Sequence, residues 1–316
     1  MRVPKIQMTG LPRNIFRLLR PRQWIKNFAI YAAVLFSGKL FDLETMQQLF
    51  FGFLVFCAIS SAIYVINDIF DVKKDRLHPF KRFRPLANKD VSIKLAIIIV
   101  IILTVGSLSA SYLISPAFFA ITGIYFLLHF SYSMFLKHIE IVDILTLAAG
   151  YILRVYAGEI VSSSHISAWL VLTTISLSLF LAIGKRRSEL TLLSQAKVHI
   201  NTTRKTLSHY TEKLLDVYLS IFATSTFISY ALFTFLVNTK GSSTLLPDGI
   251  LGPSLQKKWL MLTIIPVVYG LMRYLQRIYE NHEGESPERV LFSDRPLLTS
   301  VVIWVLLTVM LIYFIG

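Results

Sequence analysis

The sequence has 316 residues, of which 54% are hydrophobic and only 16% are charged. These proportions exclude an ordinary soluble domain and are typical of a membrane protein with several spans. A formal net charge of +14 would favour a nucleic-acid partner in a soluble protein. Here the basic residues cluster between apolar segments, which argues against nucleic acid and for a lipid bilayer.

The apolar segments predict an all-α, polytopic membrane protein with about nine transmembrane helices. The predicted spans cover residues 25–41, 48–66, 93–113, 116–136, 142–161, 166–184, 214–237, 258–275 and 297–315. The first span is short, and Pro266 interrupts the eighth. We therefore expect residues 25–316 to form a single nine-helix transmembrane domain.

The distribution of basic residues predicts the orientation of these spans. If the N-terminus is cytoplasmic, 27 Lys and Arg residues lie inside and four lie outside, with Arg154 within a span. This bias follows the positive-inside rule and indicates a multi-pass protein of the cell (inner) membrane. Residues 1–24 are basic and lack the apolar core of a signal peptide, so we expect an interfacial segment along the headgroups. The sizeable outside loop is 238–257.

The stretch YVINDIFDVKKDRLHPFKRFRP, residues 64–85, follows the second apolar run and changes from acidic to basic. If the span continues through it as a helix, Asn67, Asp71 and Asp75 share one face, with Asp68 beside them. Such oxygen ligands suit Mg²⁺, which completes its coordination with water and substrate phosphates. The alternative is a solvated helix end with Asp–Lys pairs, but acids at a helix C-terminus oppose its dipole. The stretch therefore favours a site for a metal and a diphosphate.

Basic residues recur at every predicted cytoplasmic end and are candidates for binding substrate phosphates. The candidates in the stretch itself are Arg76, His78, Lys81 and Arg84. The segments RPRQWIKN, YSMFLK and GKRRSEL add Lys26, Tyr132, Lys137, Lys185, Arg186 and Glu189. Any one group could serve only topology, but several groups around one acidic helix end indicate a binding site.

Arg154, in AAGYILRVYAGE, lies within a predicted span. A buried arginine is costly in a membrane unless it faces a polar cavity or a partner. We expect a chamber that reaches from the cytoplasmic face to Arg154, which would help to bind a substrate phosphate. The alternative is an ion pair that holds two helices together.

The motif NDIFDVKKDRLHP resembles the NDxxDxxxD signature of the UbiA-type intramembrane prenyltransferase superfamily. The number of spans and the RPRQWIKN segment resemble it too, so the likeness covers nearly the whole chain. With YSMFLK and GKRRSEL, the extended motif is most similar to decaprenyl-phosphate phosphoribosyltransferases. A second DxxxD motif, typical of the prenyl-diphosphate enzymes, is missing from GKRRSELTLLSQAK, where Glu189 is the only acid.

The resemblance implies a glycosyltransferase with a UbiA-type bundle as its catalytic domain. It would transfer 5-phosphoribose from 5-phosphoribosyl 1-diphosphate to a polyprenyl phosphate and release diphosphate, for cell-envelope polysaccharide synthesis. Mg²⁺, or Mn²⁺ in its place, would lie on Asn67 and on the catalytic carboxylates Asp68, Asp71 and Asp75. The cations expected around the 5-phosphate and the diphosphate are Lys81, Arg84, Lys185 and Arg186. Lys26 or Lys137 would steer the lipid phosphate. A homo-oligomer is compatible with this interpretation.

Two other functions compete with this interpretation. An aromatic or quinone prenyltransferase of the same fold would use a polyprenyl diphosphate, but the missing second DxxxD motif counts against it. An anion transporter would explain Arg154 and the cationic ends of the spans. Against a transporter, the sequence has no internal repeat, and its acids cluster at a membrane face rather than at the midplane.

Overall fold

The computed structural model describes residues 10–77, 81–195, 209–237, 258–281 and 287–315, and all regular structure in these ranges is helical. The helices are α1 (Leu11–Leu19), α2 (Ala32–Ser37), α3 (Leu43–Leu77), α4 (Ile93–Ile114), α5 (Pro116–Met134), α6 (Val142–Ser162), α7 (Ala168–Gln195), α8 (Glu212–Leu236), α9 (Ile264–Asn281), α10 (Pro287–Ser293) and α11 (Arg295–Met310). The first nine residues, His78 and the predicted outside loop 238–257 fall outside the described residues.

Eight segments of the described chain are long and apolar enough to cross a membrane. Six of them are helices α3 to α8, and the others are Trp259–Glu280 and Arg295–Ile315, which contain α9 and α11. Their lipid-facing sides stay apolar where the protein does not cover them: on α4, Ile102 is 64% exposed and Leu113 is 84% exposed. These features confirm an all-α, multi-pass membrane protein.

The first predicted span, residues 25–41, is not one long α-helix and does not belong to these eight segments of the described chain. A 3-10 helix, Pro21–Tyr31, runs directly into the short helix α2. A 3-10 helix rises about 2.0 Å per residue and an α-helix 1.5 Å, so the two together reach roughly 31 Å. The segment therefore has about the length of a ~30 Å hydrocarbon core, in a more extended form.

Gly158 of α6 fixes the position of this extended segment. A Cβ atom on Gly158 would lie only 1.8 Å from the carbonyl oxygen of Ile30. Only a glycine lets the backbone of residues 21–31 come this close to α6. The contact brings Lys26 and Asn27 beside the side chains that α6 points into the bundle.

Helix α3 is 35 residues long, and at 1.5 Å per residue it extends roughly 52 Å. A hydrocarbon core of ~30 Å cannot contain a helix of this length. Part of α3 therefore extends beyond the hydrocarbon core. The acidic motif lies in its C-terminal part, which is a continuous α-helix as the sequence predicts. The chain then turns through a short 3-10 helix, Lys81–Phe83, back toward α4.

Local signals in the sequence set the other helix ends. Ser92, Ser115 and Thr211 each accept a hydrogen bond at an N-terminus, from the amides of residues 95, 118 and 214. Asp294 caps α11 in the same way and also binds Arg273 of α9 at 2.8 Å. Such caps satisfy amides that have no partner within the helix. They fix the residues at which these four helices begin.

The N-terminal helix α1 packs on the bundle. Leu18 is fully buried in a cluster with Val65 and Val72 of α3 and Leu86 of the following loop, whereas Phe16 is 56% exposed. Helix α1 thus has a buried face and an exposed face, and its place at the headgroups stays a prediction. The packing also brings Arg20, at the end of α1, to the acidic end of α3.

Candidate active site

A chamber of about 270 Å³ opens between the acidic end of α3 and helices α5, α6 and α7. Among the described residues, eight Lys or Arg and four Asp or Glu side chains line it. The basic ones are Arg20, Lys26, Lys74, Lys81, Arg84, Lys137, Arg154 and Lys185, and the acidic ones are Asp71, Asp75, Glu189 and Glu288. The structure thus unites basic residues that the sequence placed in five separate segments.

Asn67, Asp71 and Asp75 all line this chamber, as their spacing on one helical face predicts. Lys137 reaches the same face from the short 3-10 helix after α5. Its Nζ atom lies 2.7 Å from Oδ1 of Asp71 and 3.4 Å from Oδ1 of Asn67. Lys137 is therefore a cation held directly against the acidic motif.

Asp68 is not among the described residues that line the chamber and is only 2% exposed. It binds Arg20 and lies 3.0 Å from Nη1 of Arg84, which also contacts Oδ2 of Asp75 at 2.6 Å. Burial lowers the pKa of the Arg84 guanidinium, but Asp68 and Asp75 raise it more, so the pKa lies above its ordinary value. Asp68 thus positions two arginines at the chamber wall.

The end of α7 contributes a second basic wall. Lys185 lines the chamber and makes no hydrogen bond or ion pair with any side chain in the described parts of the chain. Lys81 lies 3.7 Å from Glu189 across the chamber mouth. A desolvated ammonium without a protein partner is suited to an anionic ligand.

Arg186 differs from the expectation that it contacts substrate, because it is fully buried behind the chamber wall. Its Nε atom lies 2.6 Å from Oδ2 of Asp143, and its other nitrogens bind Glu189 at 2.8 Å and the Tyr132 hydroxyl at 3.0 Å. Arg186 therefore holds Tyr132 and Glu189, which do line the chamber. Arg76, another predicted substrate contact, does not line the chamber either. Its Nε atom lies 3.2 Å from the carbonyl oxygen of Ala87.

Arg154 lies at the inner end of the same chamber, among aromatic residues. It is 4% exposed and donates hydrogen bonds to Oδ1 of Asn27 at 2.7 Å, to the Gly150 carbonyl at 2.9 Å and to the Tyr125 hydroxyl. Its guanidinium also lies 5.4 Å from the ring centre of Tyr151. In the described structure no carboxylate pairs with Arg154, so the chamber ends in an uncompensated positive charge.

A second chamber, of about 460 Å³, adjoins the first and is almost entirely apolar. Lys26, Tyr151 and Glu288 line both chambers and form their junction. The apolar walls come from α6 to α11 and from α2, with Phe36, Leu170, Phe180, Leu271 and Trp304 among their residues. The two chambers therefore form a charged compartment connected to an apolar one.

Glu288, at the junction, was not predicted from the sequence. It belongs to the short helix α10, and its Oε2 atom lies 3.2 Å from Nζ of Lys26, while Gln23 donates a hydrogen bond to Oε1. Burial raises the pKa of the Glu288 carboxyl, but Lys26 and the nearby donors lower it more, so the pKa lies below its ordinary value. No motif in the sequence around Glu288 marks it as a site residue. Its contacts with Gln23 and Lys26 in the folded protein place it in the site.

The acidic motif provides ligands suitable for a hard divalent cation. Asn67, Asp71 and Asp75 present oxygen atoms to a chamber wide enough for phosphate groups, and Mg²⁺ prefers such atoms together with water and phosphate oxygens. Within the described ranges, no three Asp, Glu, His or Cys side chains form a ready-made metal site. A divalent cation on these oxygens would need further ligands, such as water, to complete its shell.

The membrane-spanning helical bundle thus holds a charged chamber joined to an apolar one. Residues 27–293 match the UbiA prenyltransferase family, and the chain belongs to that family of transferases.

Relatives and a solved structure cover almost the whole chain. A decaprenyl-phosphate phosphoribosyltransferase of Corynebacterium glutamicum is 32% identical over 308 residues, which cover 96% of this chain and 88% of that protein. The protein of the same name from Mycolicibacterium smegmatis is 33% identical over 304 residues, covering 94% and 92%. A UbiA homologue from Archaeoglobus fulgidus, solved with GPP and Mg²⁺, shares the fold with a TM-score of 0.69, at 20% identity, over 95% of this chain and 99% of that chain.

Proposed function

We propose that this protein transfers 5-phosphoribose from 5-phosphoribosyl 1-diphosphate to a polyprenyl phosphate and releases diphosphate. The observation that carries the proposal is the junction at Lys26, Tyr151 and Glu288, where a cation-rich chamber meets an apolar one. The names of the relatives support the same reaction. The active site would face the cytoplasm of a cell with an envelope polysaccharide built on such lipids.

The charged chamber suits a donor with phosphate groups at both ends. Lys137 and Arg84 flank the acidic motif, while Lys185 and Arg154 extend positive charge along the chamber. A prenyl diphosphate carries its charge at one end only. In this proposal the diphosphate of the donor lies at the acidic motif, and Lys185 or Arg154 binds the 5-phosphate.

The apolar chamber suits the lipid acceptor. Its volume of about 460 Å³ accommodates the first isoprenoid units of a long chain, with the remainder in the bilayer. Lys26 lies where the apolar chamber meets the charged one, so it is placed to contact the lipid phosphate. Burial of the first units against apolar walls contributes roughly 25 cal/mol per Å² of apolar surface.

Asn67, Asp71 and Asp75 are the residues that we propose to hold Mg²⁺. When bound, the cation would neutralise charge on the diphosphate and make it a better leaving group. Asp68 keeps Arg20 and Arg84 at the chamber wall, so its part in the reaction is to position cations. Mn²⁺ fits the same oxygen donors.

The protein's own groups then act by position and charge. An oxygen of the lipid phosphate attacks C1 of the ribose, and the bond from C1 to the diphosphate breaks with its electron pair on the leaving group. Lys137 and Arg84 offset the charge that develops on the departing diphosphate. A phosphate anion is already a nucleophile, so the reaction requires no general base.

A reconstituted assay tests the proposal. Purified protein in lipid nanodiscs should release diphosphate when it receives phosphoribosyl diphosphate and polyprenyl phosphate together, and mass spectrometry should find the phosphoribosyl lipid. Asp71→Asn should abolish the product, whereas the exposed Glu44→Gln is a matched control on the same helix. Consumption of a polyprenyl diphosphate with 4-hydroxybenzoate instead would identify an aromatic prenyltransferase and refute the proposal.

A further inference from the structure

Glu288 has a free hydrogen-bonding position at the junction of the two chambers. The residue is 8% exposed, and Oε2 is buried without a hydrogen-bond donor in the described structure. Lys26 neutralises this oxygen from 3.2 Å, outside hydrogen-bonding alignment, and Gln23 occupies only the other oxygen, Oε1. A buried acceptor left without a donor costs free energy, so a bound molecule that supplied one would be stabilised.

The position of Glu288 is unusual for a residue in a phosphate-binding chamber. A carboxylate repels phosphate groups and accepts hydrogen bonds. Of the groups in the proposed substrates, only the hydroxyls of the ribose can donate a hydrogen bond to it. The lipid phosphate attacks C1 of that ribose, so the sugar must lie where the two chambers meet.

We infer that Glu288 accepts a hydrogen bond from the 2- or 3-hydroxyl of the ribose. It thereby selects a ribose donor over a deoxyribose donor that lacks this hydroxyl. The inference rests on the proposed function and deepens it, since it assigns the sugar-recognising residue of the same site. Gln23 orients the carboxylate through Oε1, and Lys26 keeps it ionised. A hydrogen bond to an ionised acceptor is stronger than one between neutral groups.

Selectivity between donors is the measurement that tests this assignment. The wild-type protein, with polyprenyl phosphate as acceptor, receives phosphoribosyl diphosphate, its 2-deoxy analogue or its 3-deoxy analogue. We expect kcat/KM to be about 10- to 100-fold lower for one of the deoxy donors, because the site then keeps an unpaired acceptor. Glu288→Ala should lower kcat/KM for phosphoribosyl diphosphate and bring it within about threefold of the value for that deoxy donor.

Glu288→Gln keeps a neutral acceptor of the same shape and should keep part of the selectivity. If Glu288 merely held Lys26 in place, both variants would raise the KM for polyprenyl phosphate and leave the preference between donors unchanged. That result would overturn the inference, and so would a wild-type protein that uses all three donors equally well. Failure of the wild-type protein to use phosphoribosyl diphosphate at all would refute the proposed function and this assignment with it. A thermal melt of each variant, beside Glu44→Gln, shows whether lost activity reflects lost folding.

Discussion

Arg154→Met removes the deepest charge of the chamber while it keeps the length of the side chain. The change deletes the hydrogen bonds to Asn27, to the Gly150 carbonyl and to the Tyr125 hydroxyl. It also removes a cation from beside the ring of Tyr151. A binding role and a packing role predict different consequences for this one substitution.

The effect on stability is expected to be small for such a buried residue. The three hydrogen bonds that Arg154 donates stabilise the folded protein. Burial of the guanidinium costs several kcal/mol, and methionine avoids that cost. Ser60 still donates to Oδ1 of Asn27 at 3.3 Å, and the Tyr125 hydroxyl can donate to Oγ of Ser60 at 3.3 Å. We therefore expect a net loss of about 2 kcal/mol or less.

The effect on activity should be larger. Loss of a preorganised cation that contacts a substrate phosphate lowers the rate by about 10²- to 10³-fold, which corresponds to roughly 3 to 4 kcal/mol. The assay measures kcat and KM for phosphoribosyl diphosphate in nanodiscs, together with the melting temperature of the same preparation. A binding role predicts a raised KM or a lost turnover in a protein that still folds.

Arg187→Met is the matched control. Arg187 is another buried arginine, but it lies away from the chamber and pairs with Asp216 at 2.9 Å and Glu212 at 3.3 Å. Its loss should lower the melting temperature and leave kcat/KM nearly unchanged. If Arg154→Met behaved like this control, with full activity and an earlier melt, Arg154 would be structural and the phosphate assignment would be refuted.

Four more substitutions, one of them a control, test other parts of the structure. Asp71→Asn should lower kcat at least 100-fold without loss of folding, and a chelator should abolish wild-type activity reversibly; activity that persists in the chelator would contradict the metal assignment. Lys185→Met should raise the KM for phosphoribosyl diphosphate about 10- to 100-fold and leave the KM for the lipid unchanged, and an equal change in both would contradict a role at the 5-phosphate. Gly158→Ala should destabilise the protein by about 3 kcal/mol or more, because its methyl group would collide with Ile30. Gly106→Ala, with no atom within 4 Å of its Cβ position, should melt at or above the wild-type temperature.

Much of the architecture could be predicted from the sequence because lipid imposes a simple rule on it. A spanning segment must be apolar and helical, so hydropathy alone located α3 to α8. The acidic motif was predictable as well, since the spacing of Asn67, Asp71 and Asp75 has only one helical interpretation. The first span was not predictable as a 3-10 helix, because its form depends on the contact between Ile30 and Gly158.

The individual roles of the charged residues could not be predicted from the sequence, because they depend on the direction of each side chain. Asp68 and Asp71 are three residues apart in the motif, yet one faces Arg20 and Arg84 and the other faces the chamber. Likewise Lys185 faces the chamber, whereas its neighbour Arg186 is buried against Asp143. Adjacent helical positions differ by about 100° in direction, so a basic run identifies a wall of the site and not its individual contacts.

The ion pairs of the chamber explain how one site holds acids and bases together before substrate binds. Lys137 with Asp71, Arg84 with Asp75 and Lys26 with Glu288 neutralise one another in a partly buried space, where unpaired charges would be costly. Each pair also fixes a cation at the wall, so a phosphate group meets a donor that is already desolvated and oriented. A divalent cation that binds the acidic motif would compensate its carboxylates and free Lys137 and Arg84 for the diphosphate. In this way the carboxylates of the motif would exchange one set of cations for another.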